Sequence, residues 1–165
     1  MLDYYKHAEH FLKQLPKGVF MTVKAGDVDN TMTIAWGHIG IIWGKPVFVA
    51  YVRYSRYTYD LLRNAKDFTI NVPEVGTLSE ALTIAGSKSG RNINKFQEAQ
   101  LTLKPGKQTI SQIIAECKLH YECDIIYTQT MEPALIPEDV KQRYYPQHDT
   151  HIVFYGEIIE SYTLD

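Results

Sequence analysis

Apolar residues return at helical spacing near the start of the chain, where Tyr4, Ala8, Phe11, Leu12 and Leu15 share one side of a helix before Pro16 and Gly18. This predicts an amphipathic helix over roughly residues 3–15, packed across one end of a sheet. The pattern then changes. Val19–Lys24 is strand-like, Ala25–Asn30 carries the Gly, Asp and Asn of a turn, and Thr31–Trp36 returns with β-branched and aromatic residues, so a hairpin is predicted. Val47–Val52 is an unbroken apolar run between Lys45-Pro46 and Arg53, as in a strand buried on both faces and central in its sheet.

Beyond that strand, Thr58 is placed to cap a short helix over Tyr59–Ala65, and a strand over Asp67–Val72 ends at Pro73. Thr77 and Glu80 form a T-x-x-E capping box for a helix that runs to about Ala85 and breaks at Gly86-Ser87-Lys88-Ser89-Gly90. A helical turn near Asn92–Phe96, a strand near Leu101–Leu103, a long strand from about Glu116 to Gln129 and a last strand at His151–Glu160 follow. Met131–His148, with Pro133, Pro137 and Pro146, is a long excursion of the kind that is usually functional or disordered. Short strands dominate without the alternation of a parallel sheet. The expected class is therefore mainly β, an antiparallel barrel with a few covering helices.

Composition narrows the setting. A length of 165 residues, 45% hydrophobic and 22% charged, predicts one globular domain over residues 1–165. Lys+Arg 17 against Asp+Glu 19 leaves a net charge of -2, which gives no support to nucleic acid or an anionic membrane surface as partner. The apolar stretches fall short of the roughly 20 residues of a membrane span, and charge interrupts the N-terminal stretch, so neither a span nor a signal peptide is expected. Cys117 and Cys123, six apart on one extended segment, fit no zinc or disulfide pattern and read as two reduced thiols of a cytoplasmic protein. Tyr 12 against Phe 6 favours interfaces or a polar-edged pocket, since a tyrosine ring carries a polar tip.

Four segments carry candidate chemistry. Arg53-Tyr54-Ser55-Arg56-Tyr57-Thr58 joins two guanidiniums and two hydroxyls to the start of a helix, a combination suited to phosphate, although a surface turn with solvated arginines has the same composition. Gly86–Gly90 offers flexible amides, two serines and Lys88, but neither P-loop nor dinucleotide-fold spacing, so nucleoside triphosphate hydrolysis is unsupported. Asn30–Gly37 reads first as a strand with Trp36 as a core or interface ring, and secondly as a strand end presenting backbone groups to a planar heterocycle. His148 and His151, either side of Asp149, lack third and fourth ligands for a metal; they are a surface pair or a proton donor beside a cofactor. Hydrolase motifs are missing from the sequence.

Taken in order, NTMTIAWG, PVFVAYV, RYSRYT, DFTINVP, GSKSGRNINKF, AECKL and HDTHIVFYGEI resemble the flavin reductase-like family, the FMN-binding split barrel, and within it the flavoredoxin-like branch. The resemblance runs from Pro16 to Glu157. It implies a six-stranded antiparallel Greek-key split barrel with flanking helices, a homodimer, and one non-covalent FMN per subunit near the dimer interface. It implies an oxidoreductase that passes hydride from NAD(P)H to FMN N5 and on to free flavin, an iron centre or a partner protein. Two alternatives stay open: an electron carrier reduced by a protein partner, and a flavin-free ligand-binding module. Against the module stand the cations Arg53, Arg56 and Lys88.

Carried over by position, the resemblance implies that Thr33, Ile34, Ala35 and Trp36 meet the polar edge of the isoalloxazine. Arg53, Ser55, Arg56 and Thr58, with Tyr54 beside them, hold the phosphate, and Ser87 and Lys88 close over it. Asn71 reaches the ribityl chain or supports the site. His148 and His151 lie near the nicotinamide or flavin and assist binding or proton supply. The chain departs from the family pattern at Gly44-Lys45-Pro46, where a double proline is common, and at Asn92 and Asn94, where aspartates are common. The excursion over Met131–His148 is expected to be a lid over the flavin or a dimer contact, and Tyr51, Tyr54, Tyr57 and Tyr59 to wall a flavin site shared between subunits.

Overall fold

The computed structural model describes residues 3–164. In chain order it builds α1 (Ala8–Gln14), a 3-10 turn (Leu15–Lys17), β1 (Val19–Ala25), β2 (Val28–Ile34), β3 (Gly37–Ile42), β4 (Lys45–Arg53), α2 (Tyr57–Leu62) and β5 (Asp67–Val72). There follow α3 (Ser79–Ser87), α4 (Lys95–Glu98), β6 (Leu103–Lys104), β7 (Ile113–Ile114), β8 (Leu119–Thr130), a 3-10 turn (Pro133–Leu135), α5 (Glu138–Tyr144) and β9 (His151–Thr163). The fold is mainly β. Seven strands form one antiparallel sheet in the order β2-β1-β5-β8-β9-β4-β3, and β6 pairs with β7 separately. Helix α2 touches β1, β2 and β4, strands from opposite halves of the sheet, as a rolled sheet requires.

Alternation places the core. Along β4, Phe48, Ala50 and Val52 face inward to meet Met21, Phe68 and Tyr121, while Val47 and Val49 belong to a second apolar cluster with Val153. Phe11 of α1 closes one end, edge-on to Phe48 and Tyr121. Leu12, expected on the same face, is 55% exposed, because the helix begins only at Ala8 and turns Leu12 to solvent.

Several local expectations give way. The main sheet holds seven strands where six were expected; the additional one, β3, has two glycines and pairs with β4 at the edge through a turn at Trp43 and Gly44. Both turn residues have positive φ, 53° and 72°, the geometry of a two-residue hairpin turn. In consequence β4 is second from the edge, and β8 is the middle strand. Thr58 does not cap α2: Arg56 holds the cap position, and the Thr58 hydroxyl, two residues further on, is buried and accepts from Asn30 Nδ2 at 2.9 Å. The T-x-x-E box also fails. Thr77 donates to the Glu74 carbonyl, and α3 opens at Leu78 in the left-handed region. That helix continues past Gly86 to Ser87, since Gly86 lets it close on β2, where a Cβ would lie 3.3 Å from Thr33 Cβ. The excursion after β8 is partly helical, through the 3-10 turn and α5. No described helix is long and apolar enough to cross a membrane.

Candidate functional site

Where β4 ends, the chain turns from Arg53 into α2 and faces the loop that follows α3. Between them lies a cavity of about 290 Å³. Of the residues singled out from the sequence, Arg53, Ser55, Arg56, Thr58, Ser87 and Lys88 line it. Met32, Tyr57, Ser89, Arg91 and Lys95 complete the wall. With six residues, α2 is too short for its dipole to dominate, so side-chain donors set the character of the site.

The cations divide into two groups. Lys88 pairs with Glu98, and Arg91 pairs with Asp60 while stacking on the Tyr57 ring at 5.2 Å. Arg53, Arg56 and Lys95 bond instead to backbone carbonyls, and none of the three has an ion-pair partner among the described residues. Arg56 donates to the Gly86 carbonyl at 2.6 Å, tying the start of α2 to the end of α3. Burial, and then the neighbouring Arg53, lower its pKa from the usual arginine value.

Lys95 was not singled out from the sequence, and it is the most constrained of the set. Its side chain is 4% exposed, and Nζ donates to the Thr31 carbonyl at 2.9 Å and the Ala85 carbonyl at 2.8 Å. Burial and then Arg56 push its pKa down to about 8. An ammonium has three hydrogens, and two are spent. A buried, incompletely partnered cation at a cavity wall is costly unless an anion completes it. The available signal was its position one residue past Asn94, whose side chain caps α4, between the apolar Ile93 and Phe96.

Ser55 and Arg53 are engaged by the segment that leads into β9. Ser55 Oγ and the Ser55 amide both donate to the Asp149 carboxylate. Arg53 donates to the Asp149 and Tyr144 carbonyls at 2.6 and 2.9 Å and stacks on the Tyr145 ring at 5.1 Å. The excursion after β8 is thus clamped to the cavity's edge. Asp149 was read only as part of the histidine pair; its position beside Ser55 depends on the register of β4 against β9, which local sequence does not reveal.

Beside the clamp lies an aromatic group. His151 pairs in register with Arg53, its ring is 4.9 Å from Trp36, and Nδ1 is 2.8 Å from Tyr145 Oη. Trp36, 40% exposed, also meets Tyr144 edge-on at 5.2 Å. Burial first, then Arg53, pushes His151 down to about 4. Near neutral pH the ring is therefore uncharged, able to orient a partner but poorly suited to donate a proton.

Other expected site residues fall outside the cavity. Thr33 donates its hydroxyl to the Leu82 carbonyl and so fastens α3 to β2, Ile34 is buried in the core, and Ala35 is exposed between β2 and β3. Tyr54 is exposed and packs edge-on to Tyr59, away from the cavity lining. Asn71 is fully buried and saturated: Nδ2 donates to Thr22 and Thr69 hydroxyls, Oδ1 accepts from the Ile114 amide, and His120 Nδ1 lies 2.8 Å from Oδ1. It supports the barrel interior. His148 is exposed at φ 58° and borders a different cavity along α5. Among the described residues there is no cluster of His, Cys, Asp or Glu able to hold a metal ion.

Comparison with known proteins places the fold. An uncharacterized protein of Archaeoglobus fulgidus is 27% identical over 111 residues, covering 67% of this chain and 62% of that protein, so the chain spans under two thirds of its relative's length. A flavoredoxin of Desulfovibrio vulgaris (Miyazaki F) superposes with a TM-score of 0.70 at 23% identity over 90% of this chain and 69% of its own. An NADH:FAD oxidoreductase of Streptomyces globisporus C-1027 superposes with a TM-score of 0.69 at 17% identity, covering 99% of this chain and 86% of its own. These likenesses extend the fold. The flavin reductase like domain matches residues 12–165, and with that match across nearly the whole sequence the chain belongs to the flavin reductase-like family.

Proposed function

We propose that the cavity between α2 and the loop after α3 receives the phosphate of FMN, and that the protein is an NAD(P)H-dependent flavin oxidoreductase. The observation that carries this is the trio Arg53, Arg56 and Lys95, cations without an ion-pair partner around a small polar cavity. A phosphate monoester near neutral pH carries close to two negative charges and several acceptor oxygens, which suits such a donor set. Arg56 and Lys95 act as direct donors, and Arg53 holds the edge of the site in place; the Ser87 hydroxyl already donates to the Thr83 carbonyl, and Lys88 and Arg91 are paired with Glu98 and Asp60.

When bound, FMN supplies hydride chemistry at N5, and the chain's task is binding, orientation and exclusion of water. Trp36 and the neutral His151 offer an apolar shelf beside the cavity for a planar ring. We assign His151 a positioning role. Residues 1–165 act as one flavin-binding domain in a reducing cytoplasm, which suits the free, buried thiols of Cys117 and Cys123. A homodimer is proposed as its assembly.

The test begins with the absorption spectrum of the purified protein and an FMN titration, followed by stopped-flow mixing of the holoprotein with NADH and NADPH. An oxidised-flavin spectrum that bleaches rapidly with either nucleotide is expected. Bound flavin that neither nucleotide bleaches points to a carrier reduced by a protein partner. A colourless protein that fails to take up FMN overturns the assignment.

A further inference from the structure

We propose that Tyr145 is a positioning residue: its hydroxyl donates to His151 Nδ1, fixes the imidazole as the Nε2–H tautomer, and so presents an N–H to a carbonyl oxygen of a molecule resting on Trp36. The inference rests on the flavin reading above only for the identity of that molecule as the flavin's reaction partner. Tyr145 closes α5, its amide donating to the Lys141 carbonyl, and His151 opens β9 opposite Arg53. Both side chains are buried, with Oη 2.8 Å from Nδ1. The Arg53 guanidinium lies 5.1 Å over the Tyr145 ring, and Trp36 and Tyr51 flank the imidazole at 4.9 and 6.3 Å. Elements distant in sequence thus hold the histidine ring in a single orientation.

Two proton arrangements satisfy this contact. In one, the phenol donates to Nδ1 and Nε2 carries the hydrogen; in the other, Nδ1–H donates to Oη and the phenol turns to Met131 Sδ, 3.5 Å away. The first is favoured because an imidazole nitrogen is a far stronger base than a phenol oxygen, and a thioether sulfur is a weak acceptor. The cation over the phenol ring draws charge from it and makes the hydroxyl a better donor. Burial raises the Tyr145 pKa, so the phenol keeps its proton near neutral pH. Nε2 makes no hydrogen bond among the described residues yet is not sealed from solvent, and the Trp36 ring beside it is exposed. A fixed, uncharged N–H matches an acceptor oxygen and rejects a second donor. An exposed indole offers its face to a planar ring. Together they select a planar ring that bears a carbonyl, as an aromatic amide does.

The tautomer is read directly by long-range proton–nitrogen NMR spectra of the full chain with nitrogen-labelled histidine, which distinguish a protonated from an unprotonated ring nitrogen. His151→Gln identifies the His151 signals by their loss. Nε2–H is expected in the parent and in Met131→Leu, whereas Tyr145→Phe, which keeps the ring beneath Arg53, should populate both tautomers. Nδ1–H in the parent, a tautomer that moves in Met131→Leu, or one unmoved in Tyr145→Phe overturns the proposal. The ligand class is probed on the full chain, with FMN added, by titrating benzamide and toluene, which lacks the carbonyl. Benzamide is expected to shift the Nε2 resonance and to bind the parent about three- to tenfold tighter than Tyr145→Phe, while toluene binds both alike. Benzamide binding that is equal in the two proteins overturns the carbonyl assignment. A chain that takes up no FMN defeats the flavin reading, while the tautomer and benzamide results decide this proposal by themselves.

Discussion

Ser55 Oγ donates to Asp149 Oδ2 at 2.6 Å while the Ser55 amide donates to Oδ1 at 3.2 Å, so one carboxylate takes both donors of a residue that lines the cavity beside α2. A carboxylate so close to the proposed phosphate site opposes a bound anion. Removing it frees two donors and one repulsion. Asp149→Ala should therefore tighten FMN about three- to tenfold, roughly 0.6–1.4 kcal/mol, and leave riboflavin unchanged. Parallel titrations of the two flavins check this; weaker FMN binding in the variant would mean that the carboxylate holds the loop in its binding shape.

Lys95 joins stability to ligand affinity. Lys95→Met leaves the Thr31 and Ala85 carbonyls without their donor and should cost about 1–3 kcal/mol in chemical denaturation. The same variant should lose at least about tenfold in FMN affinity, with riboflavin far less affected.

The pKa of Lys95 gives a second readout. Its folded value, about 8, lies below the ordinary 10.5. The unfolded chain therefore binds more protons across that interval, and this lysine makes the ligand-free protein more stable as pH rises from about 8 to 10.5. An anion favours the ammonium, so FMN affinity should fall as pH climbs past about 8. In Lys95→Met that decline should flatten.

His151 works through the same linkage in the acid range. Burial lowers its pKa from 6.5 to about 4, so the unfolded state binds the extra proton between those values. Its share of stability is complete above pH 6.5 and is lost as pH falls toward about 4, with a slope of up to about 1.4 kcal/mol per pH unit. Urea titrations of His151→Gln across pH 4 to 7 should show a shallower decline than the parent. Some dependence will remain, because burial also lowers His120 to about 4.

Gly90, in the loop after α3, has no room for a side chain. A Cβ there would lie 2.0 Å from Asn30 Oδ1 and 3.0 Å from Tyr57 Cδ1. Gly90→Ala should push Asn30 off its hydrogen bond to Thr58 and destabilise by about 1–3 kcal/mol. Thermal unfolding with and without FMN measures both the loss and the ligand's ability to offset it.

The strands with strong alternation or unbroken apolar runs, β1, β2, β4, β5 and β9, were legible in the sequence because their periodicity reflects burial directly. β3 was not, since Gly37-His38-Ile39-Gly40-Ile41-Ile42 lies at an edge, where exposure blurs the pattern. The caps expected at Thr58 and Thr77 failed for different reasons: the Thr58 hydroxyl accepts from Asn30, which tertiary packing brings in, while the Thr77 hydroxyl donates to the Glu74 carbonyl in its own turn. The cation-bearing loop was legible as local composition. The roles of Lys95, Arg91 and Asp149 were not, because each depends on segments distant in sequence: β2 and α3 for Lys95, α2 for Arg91, and the end of β4 for Asp149.

Arg53 grips the segment between α5 and β9 by two main-chain oxygens and one ring face, Tyr144 O, Asp149 O and Tyr145. Main-chain oxygens are the same whatever residue bears them. The excursion can therefore drift in sequence, and even in what it covers, while its docking point stays fixed, provided the backbone path and one aromatic ring persist. Such an attachment decouples recognition from anchoring. It lets residues 131–143 change without rebuilding the cavity beside them.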